Sequence, residues 1–248
     1  MSIDTLQQTL KNLRLGGVAL NLPIRLQEAK SHDLDYLDFL DNLINDELAR
    51  RQENLLNRRI KLAGFPTLKT IDEFDFEFNT TIKKKDFMAL SSTAFIHQAQ
   101  NILFIGPPGV GKSHLAIGLG MCAIQNGYSV LYRSAFDLVA DMAEADTNKA
   151  RKEYLGQLIR TNLLIIDELG MKKMPPNTAD DLLEVIHRRH LNGSTIIATN
   201  RIVSDWAAIL GDTTATAAIL DRFLEKSAVF TIKGTSFRLA KNTRKENL

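Results

Sequence analysis

The spacing of apolar residues divides the chain into two regions. In residues 1–63, leucine and isoleucine recur every three or four positions, as they do along one face of an α-helix. The run Gly64-Phe65-Pro66 then predicts the end of the helical region, because glycine and proline interrupt helices. We therefore expect a small all-helical domain over residues 1–64 and a second domain over residues 65–248.

From Asn101 onward, short apolar strands alternate with longer helices. The predicted strands are residues 101–105, 129–132, 163–167, 194–199 and 228–232. The predicted helices are residues 113–126, 135–160 with a break near Asp146, 179–191 and 214–224. The strand at 163–167 begins with four consecutive apolar residues, which is typical of a buried parallel sheet. The alternation predicts an α/β fold with a parallel sheet between helices.

A bridging segment, residues 67–100, joins the two regions. It begins with acidic residues and phenylalanines, continues with three lysines, and ends with a predicted helix that reaches Gln98.

Composition excludes several classes of protein. The 248 residues are 44% hydrophobic and 24% charged, which excludes a fibrous or wholly disordered chain. The single cysteine, Cys122, cannot form an internal disulfide, and the first 15 residues lack the apolar stretch of a secretory signal. The apolar runs, such as residues 163–166, are too short to cross a bilayer. We therefore expect a soluble cytoplasmic protein with no membrane partner.

The net charge of +2 does not by itself indicate a polyanionic partner. The last 27 residues, however, contain seven Lys or Arg and two Glu. Such a basic tail is either a solvated terminus or a nucleic-acid contact.

A phosphate-binding pattern, G-x-x-x-x-G-K-[ST], is matched by the segment Gly106-Pro107-Pro108-Gly109-Val110-Gly111-Lys112-Ser113. The segment lies between a predicted strand and a predicted helix, which is the context that this loop requires. Glycines let backbone N–H groups approach phosphate oxygens, and the helix directs the positive end of its dipole toward them. Lys112 is expected to contact the β- and γ-phosphates, and the Ser113 hydroxyl to bind Mg²⁺.

Two adjacent acids, Asp167 and Glu168, follow the apolar strand 163–166. The carboxyl end of a buried parallel strand faces the ligand crevice of an α/β sheet. Asp167 is therefore expected to hold Mg²⁺. Glu168 beside the γ-phosphate can orient and deprotonate water, which indicates hydrolysis. The alternative is that both are surface acids.

Three further polar residues are candidates for the site. Asn200 ends the strand 194–199 and could hydrogen-bond the γ-phosphate or the attacking water, although asparagine is also a common turn residue. Arg222 and Arg238 are either surface arginines or residues that stabilise transition-state charge, as an arginine supplied by a neighbouring subunit does. The histidines show no metal-ligand spacing with Cys122.

Together these residues resemble the AAA+ ATPases over roughly residues 67–240. The whole chain is most similar to the IstB-type transposition helper ATPases of bacterial insertion sequences, in the initiator clade and close to the DnaC and DnaI helicase loaders. The resemblance rests on residues 101–108, on Lys112-Ser113-His114-Leu115-Ala116, on residues 167–170 and on the helical N-terminal region. It implies that Asn200 is the sensor 1 residue, Arg222 the arginine finger and Arg238 the sensor 2 arginine.

The same resemblance implies how the protein works. It would be an ATP-dependent, Mg²⁺-dependent ATPase that oligomerises on double-stranded DNA and helps the transposase of the same element to select its target. The broken helix at 135–160 would match the helical insert of the initiator clade, which helps to form the surface that faces nucleic acid. The residues after the last strand are too few for a full C-terminal helical lid. The N-terminal domain would contact the partner.

DNA contacts are expected to be made with backbone phosphates, which basic side chains bind without reading sequence. The candidates are Lys172, Lys173, Lys149, Arg151 and Lys152. Lys172 and Lys173 follow Glu168 closely, so a loop that carries them could respond to the state of the nucleotide. Solvated lysines are the alternative.

Two other functions remain open from the sequence. One is a helicase loader of the DnaC type, which would be the same ATPase with a replicative helicase as client. The other is a nucleotide-locked scaffold with negligible turnover, which Glu168 speaks against. A GTPase is disfavoured because the chain has no N-K-x-D string to read guanine.

Overall fold

The computed structural model describes residues 2–145, 147–171, 175 and 178–240. The chain divides into two compact units, residues 1–58 and residues 59–248. Within the described residues, no helix is both long and apolar enough to cross a membrane.

The N-terminal unit is helical, as the sequence predicts. Its helices are α1 (Ile3–Asn12), α2 (Gly16–His32) and the first part of α3 (Tyr36–Ala63). The helical region ends before Gly64, whose φ of 72° is in the left-handed region that favours glycine. A division of the chain into domains at residue 64 stays a prediction.

A buried carboxylate, Glu47 of α3, joins the helices of this unit. It accepts hydrogen bonds from the backbone N–H groups of Gly17, at 2.6 Å, and Val18 at the start of α2, and it pairs with Arg51. Burial alone would raise the pKa of Glu47, but these hydrogen bonds outweigh it and hold the pKa below its ordinary value. An anion at this position caps a helix N-terminus that has no capping side chain of its own.

The second unit is built on a five-stranded sheet in which every pair of neighbours is parallel. The strand order is β2-β3-β4-β1-β5. The strands are β1 (Asn101–Ile105), β2 (Val130–Ser134), β3 (Leu163–Leu169), β4 (Ser194–Thr199) and β5 (Ser227–Thr231). The helices are α4 (Lys84–Ser91), α5 (Ala94–His97), α6 (Lys112–Gln125), α7 (Ala135–Glu144), α8 (Asn148–Arg160), α9 (Thr178–Arg189), α10 (Trp206–Leu210) and α11 (Thr213–Leu224).

These elements confirm the predicted α/β fold. Each predicted strand begins and ends within two residues of the corresponding observed strand. The predicted break in residues 135–160 separates α7 from α8. The helix predicted to reach Gln98 is instead two short helices, α4 and α5. Helix α10 was not predicted, and its Trp206 is fully buried in the core between the sheet and the helices.

A buried arginine, Arg189 at the end of α9, secures the edge of the sheet where the strands begin. It is 2% exposed, and its three nitrogens donate to one hydroxyl and five backbone carbonyls. The acceptors are Thr195 Oγ1, Leu158 O, Ile159 O, Thr161 O, Asn162 O and Ser194 O. Burial lowers the pKa of Arg189 to about 10. One side chain therefore donates hydrogen bonds to the backbone carbonyls at the end of α8 and to those at the starts of β3 and β4.

We expect Arg189→Met to lower the free energy of unfolding of the second unit by about 3 kcal/mol, because buried carbonyls would be left without their donors. Fluorescence of Trp206, the single tryptophan, reports this unit during urea unfolding. The matched control is Arg188→Met, since the ion pair of Arg188 with Glu184 is exposed and its loss should change stability by less than about 1 kcal/mol. Equal midpoints for the two variants would contradict this role of Arg189.

Candidate nucleotide site

The phosphate-binding pattern forms a loop between β1 and the start of α6, as predicted. Lys112, the first residue of α6, is 9% exposed, and its Nζ donates to the carbonyl oxygens of Gly106 and Pro107, each at 2.8 Å. Burial lowers the pKa of Lys112, and the nearby charge of Asp167 opposes this shift. A largely desolvated ammonium group held by two carbonyls is well placed to bind an anion.

Two segments of the chain, around Ser236 and around Phe74, pack against this loop. Gly109 has a φ of 82°, and a Cβ there would collide with the side chain of Ser236. The next residue, Phe237, donates its backbone N–H to the carbonyl of Gly109 at 3.0 Å. On the other side, the ring of Phe74 occupies the space that a Cβ at Gly111 would need. The glycines of the pattern therefore serve close packing as well as phosphate binding.

Asp167 is buried near the end of β3, and both of its carboxylate oxygens accept a hydrogen bond. Tyr132 of β2 donates its hydroxyl to Oδ2 at 2.9 Å, and the N–H of Glu168 donates to Oδ1 at 2.8 Å. The pKa of Tyr132 is raised, first by burial and then by the charge and hydrogen bond of Asp167. Tyr132 therefore remains a protonated donor, and the carboxylate has a fixed orientation.

Asp167 and Glu168 form a β-bulge in β3. The register of β3 on β4 shifts between Ile166 and Leu169, and Glu168 has a φ of 60°. A left-handed conformation is costly for a residue other than glycine and is often found at functional sites. Asp167 is 2% exposed and Glu168 is exposed. Because the bulge interrupts the alternation of side chains along β3, both residues line the same cavity.

The cavity has a volume of about 780 Å³ and lies at the carboxyl edge of the sheet. Residues of the phosphate loop, including Lys112 and Ser113, form one wall, and Asp167 and Glu168 form another. Arg238 also lines it, and the charge of Arg238 lowers the pKa of Lys112. The segment after β5 therefore brings Arg238 to the same cavity as Lys112.

A third wall comes from residues 66–79, which we call the strap. Asn79 donates to the carbonyl of Val110 at 3.3 Å, and the Phe78 ring contacts Phe237 with centroids 5.1 Å apart. The strap residues that line the cavity are Pro66, Thr67, Lys69, Glu73, Phe74, Asp75, Phe78 and Asn79. The sequence marked this segment only as acidic and aromatic, and its part in the cavity was not predicted.

Of the five predicted catalytic residues, Asn200 and Arg222 do not line this cavity. Gly106, Pro107 and Pro108 of the phosphate loop do not line it either. Asn200 follows β4, with its Nδ2 3.3 Å from the Sδ of Met171, and its buried Oδ1 has no hydrogen-bond partner within the described residues. Arg222 lies in the last turn of α11, where it contacts His187 of α9.

The predicted DNA contacts differ in their surroundings. Lys149 and Lys152 are exposed on α8, whereas Arg151 forms an ion pair with the buried Asp181 of α9. Lys172 and Lys173 lie outside the described residues.

Comparison with known proteins identifies the family. The sequence matches the family described as IstB-like ATP binding protein over residues 8–245. The chain belongs to the IstB-like family.

Two relatives illustrate how much of the chain this IstB-like similarity covers. One relative is named as an ATP-binding protein of insertion sequence IS5376 from Geobacillus stearothermophilus. It is 37% identical over 234 residues, and the alignment covers 92% of this chain and 93% of the relative. A protein named in the same way, from insertion sequence IS21 of Pseudomonas aeruginosa, is 34% identical, with 94% of this chain and 88% of the relative covered.

Solved structures show the fold of this IstB-like protein to be of the AAA+ type. DnaI matches with a TM-score of 0.56 at 16% identity, over 66% of this chain and 90% of that one. DnaA from Aquifex aeolicus, solved with AMPPCP, matches with a TM-score of 0.58 at 19% identity, over 74% of this chain and 56% of that one. The predicted P-loop AAA+ fold is confirmed.

We expect Phe237→Ala to weaken ATP binding roughly tenfold, because it releases the segment that holds Arg238 at the loop and so removes about one charge-assisted hydrogen bond. Titration with a fluorescent ATP analogue measures the affinity. Phe136→Ala is the control, since Phe136 is a partly exposed phenylalanine of α7 outside the cavity.

Arg238→Ala should weaken binding to the same extent, and the double variant Phe237→Ala/Arg238→Ala should bind no more weakly than either single variant. Additive effects would show that Phe237 does not act through Arg238.

Proposed function

We propose that this protein is a Mg²⁺-dependent ATPase that assembles on double-stranded DNA and assists the transposase of its insertion sequence in target selection. The observation that carries the proposal is the bulge in β3. It places a buried carboxylate, Asp167, and an exposed one, Glu168, in the same cavity as the Lys112 ammonium.

The residues of the cavity fit Mg²⁺ together with ATP. Mg²⁺ binds proteins through few carboxylates and keeps several waters, and the Asp167 carboxylate has lone pairs beyond those bonded to Tyr132 and Glu168. The Ser113 hydroxyl also lines the cavity. Asp167 and Ser113 would hold the ion, which would supply positive charge to neutralise the phosphates of ATP.

Glu168 is the proposed general base. It would accept a proton from a water whose oxygen attacks the γ-phosphorus while the bond to the β-γ bridging oxygen breaks, yielding ADP and phosphate. Asn200 remains a proposed contact of that water or of the γ-phosphate. It does not line the cavity, so its side chain would have to turn toward the nucleotide to make this contact. Lys112, and Arg238 from the segment after β5, would hold the phosphates.

Arg222 is the proposed arginine finger for a second copy. It does not line the cavity of its own chain, so its contact with nucleotide would have to be made in a neighbouring subunit. This supports an oligomer in which each ATP is held by one chain and completed by the next.

DNA binding would use phosphate contacts by Lys149 and Lys152, which are exposed on α8. Lys172 and Lys173, after Glu168 in sequence, remain proposed contacts. Arg151 was predicted with them, but its ion pair with Asp181 gives it a structural contact instead. Few contacts per subunit would make binding depend on assembly along the duplex.

The transposase assignment is supported by the names of relatives at 37% and 34% identity, which place them in insertion sequences. The partner surface we propose is the N-terminal unit, where α3 exposes Tyr36, Leu37, Leu40, Ile44 and Leu48. A helicase loader is the second candidate, because the fold is shared with DnaI. Capture of purified transposase or replicative helicase by the full-length protein distinguishes the two.

We expect Glu168→Gln to reduce ATP hydrolysis by about 10²–10⁴-fold while ATP binding persists, because an amide cannot accept the proton. Phosphate release and equilibrium binding of labelled ATP measure the two properties. The control is Lys112→Ala, which should abolish both. Turnover in the Glu168→Gln protein equal to the wild type would contradict the assignment of Glu168.

We expect the double variant Lys149→Ala/Lys152→Ala to weaken binding to all duplexes alike and to flatten the dependence of log affinity on log salt. The slope should fall by about 0.9 for each lysine that no longer neutralises a DNA phosphate. Fluorescence anisotropy across a salt series with ATP measures the slope. Lys172→Ala/Lys173→Ala tests the other proposed contacts in the same way.

Arg151→Gln is the matched control on α8. It should lower stability, since Asp181 would be left without its ion-pair partner, and leave the salt slope unchanged. If neither lysine pair changes the slope, the DNA surface lies elsewhere, and the basic C-terminal tail is the next candidate.

A further inference from the structure

The proposed arginine finger is held by a histidine of the neighbouring helix. Arg222 is in the last turn of α11 and His187 is in the last turn of α9. The Nε of Arg222 donates to the Nδ1 of His187 at 2.8 Å, and Nη1 donates to the carbonyl of Ala218 at 3.2 Å.

These two contacts define the orientation of a flexible side chain. An arginine has several rotatable bonds, so ordering its side chain costs conformational entropy. With Nε and Nη1 bonded to separate helices, the plane of the guanidinium group is fixed. Its Nη2 has no hydrogen-bond partner within the described residues, and it is therefore the nitrogen available to an external anion.

The contact requires a particular form of the histidine. Nδ1 accepts a hydrogen bond only when it carries a lone pair, as in the neutral ring with its proton on Nε2. An asparagine at this position offers a carbonyl oxygen at nearly the same distance from the backbone as Nδ1, whereas alanine offers no acceptor.

We propose that His187 is a positioning residue for Arg222, holding its guanidinium group ready to contact the γ-phosphate of ATP in a second copy of this chain. The inference rests on the proposed function of Arg222 as an arginine supplied to a neighbour. His187 does not line the cavity of its own chain and acts only through Arg222.

A second pair of residues serves as a matched control, because each of its members lies three residues after His187 or Arg222. His190 follows α9, and its Nε2 lies 2.7 Å from the Oε2 of Glu225, which follows α11. This contact joins the same two regions as the contact between His187 and Arg222. Removing it tests whether any histidine bridge between α9 and α11 is needed, without altering Arg222.

The experiment compares three variants for steady-state ATP hydrolysis and for ATP-dependent assembly by size. His187→Ala should reduce turnover roughly 10–100-fold, the cost of misplacing a catalytic contact by about 1 Å. His187→Asn should restore turnover to within about threefold of the wild type, because it restores the acceptor. His190→Ala should stay within about threefold of the wild type, since an exposed pair contributes little. Trp206 fluorescence during unfolding checks that each variant folds.

Two further measurements show whether His187 acts through Arg222. The double variant His187→Ala/Arg222→Ala should be no less active than Arg222→Ala alone, in which turnover is expected to fall about 10³-fold or more. Mixing His187→Ala protein with Lys112→Ala protein should recover turnover, because the intact Arg222 of one chain would complete the intact nucleotide site of the other.

The outcomes separate this inference from the function on which it rests. Full turnover in Arg222→Ala would overturn the proposed finger itself. If Arg222→Ala is inactive but His187→Ala is as active as the wild type, or more active, His187 does not position the finger. Equal reductions in His187→Asn and His187→Ala, or in His190→Ala and His187→Ala, would assign the contact a structural role only.

Discussion

The parallel pairing of β1 with both β4 and β5 is the constraint on which the rest of the second unit depends. Ile105 is in register with Thr199 of β4 and with Thr231 of β5, so the three strands end together. The phosphate loop therefore leaves β1 beside the chain that leaves β5, and Ser236 reaches Gly109 within a few residues. β3 ends at the same edge, which brings Asp167 to the Lys112 ammonium.

Two locally unfavourable features persist at this edge because the sheet around them is well packed. Glu168 has a left-handed backbone conformation, which costs roughly 1–2 kcal/mol, and Lys112 is largely desolvated. Ile165 and Ile166, before the bulge, are fully buried and paired in register with β2 and β4. Because this part of the strand is held firmly in the sheet, the residues that follow it keep the bulged conformation despite its cost. The backbone strain is therefore located at Glu168, the exposed carboxylate of the cavity.

The sequence predicted those features that depend on local order along the chain. The phosphate loop, the strands and the position of Asp167 and Glu168 follow from apolar runs and glycine spacing, and the fold prediction is confirmed. The sequence also named Arg238 as a candidate. The packing of the strap and of Phe237 on the loop could not be predicted, because it comes from contacts between residues that are distant in sequence. Arg189 likewise looked like one more basic residue at a helix end, although tertiary contacts bury it.

On the proposed function, the position of Arg222 couples nucleotide binding to assembly. Its chain supplies Lys112, Asp167 and Glu168 to its own cavity, while Arg222 at the end of α11 does not line that cavity. If Arg222 contacts ATP in a neighbouring subunit, binding of ATP and association of the subunits are coupled. ATP then raises the affinity between subunits, and association raises the affinity for ATP by the same factor. Hydrolysis would remove the γ-phosphate that Arg222 would contact, and so would weaken the assembly. DNA that several subunits bind at once would then be released as the assembly separates.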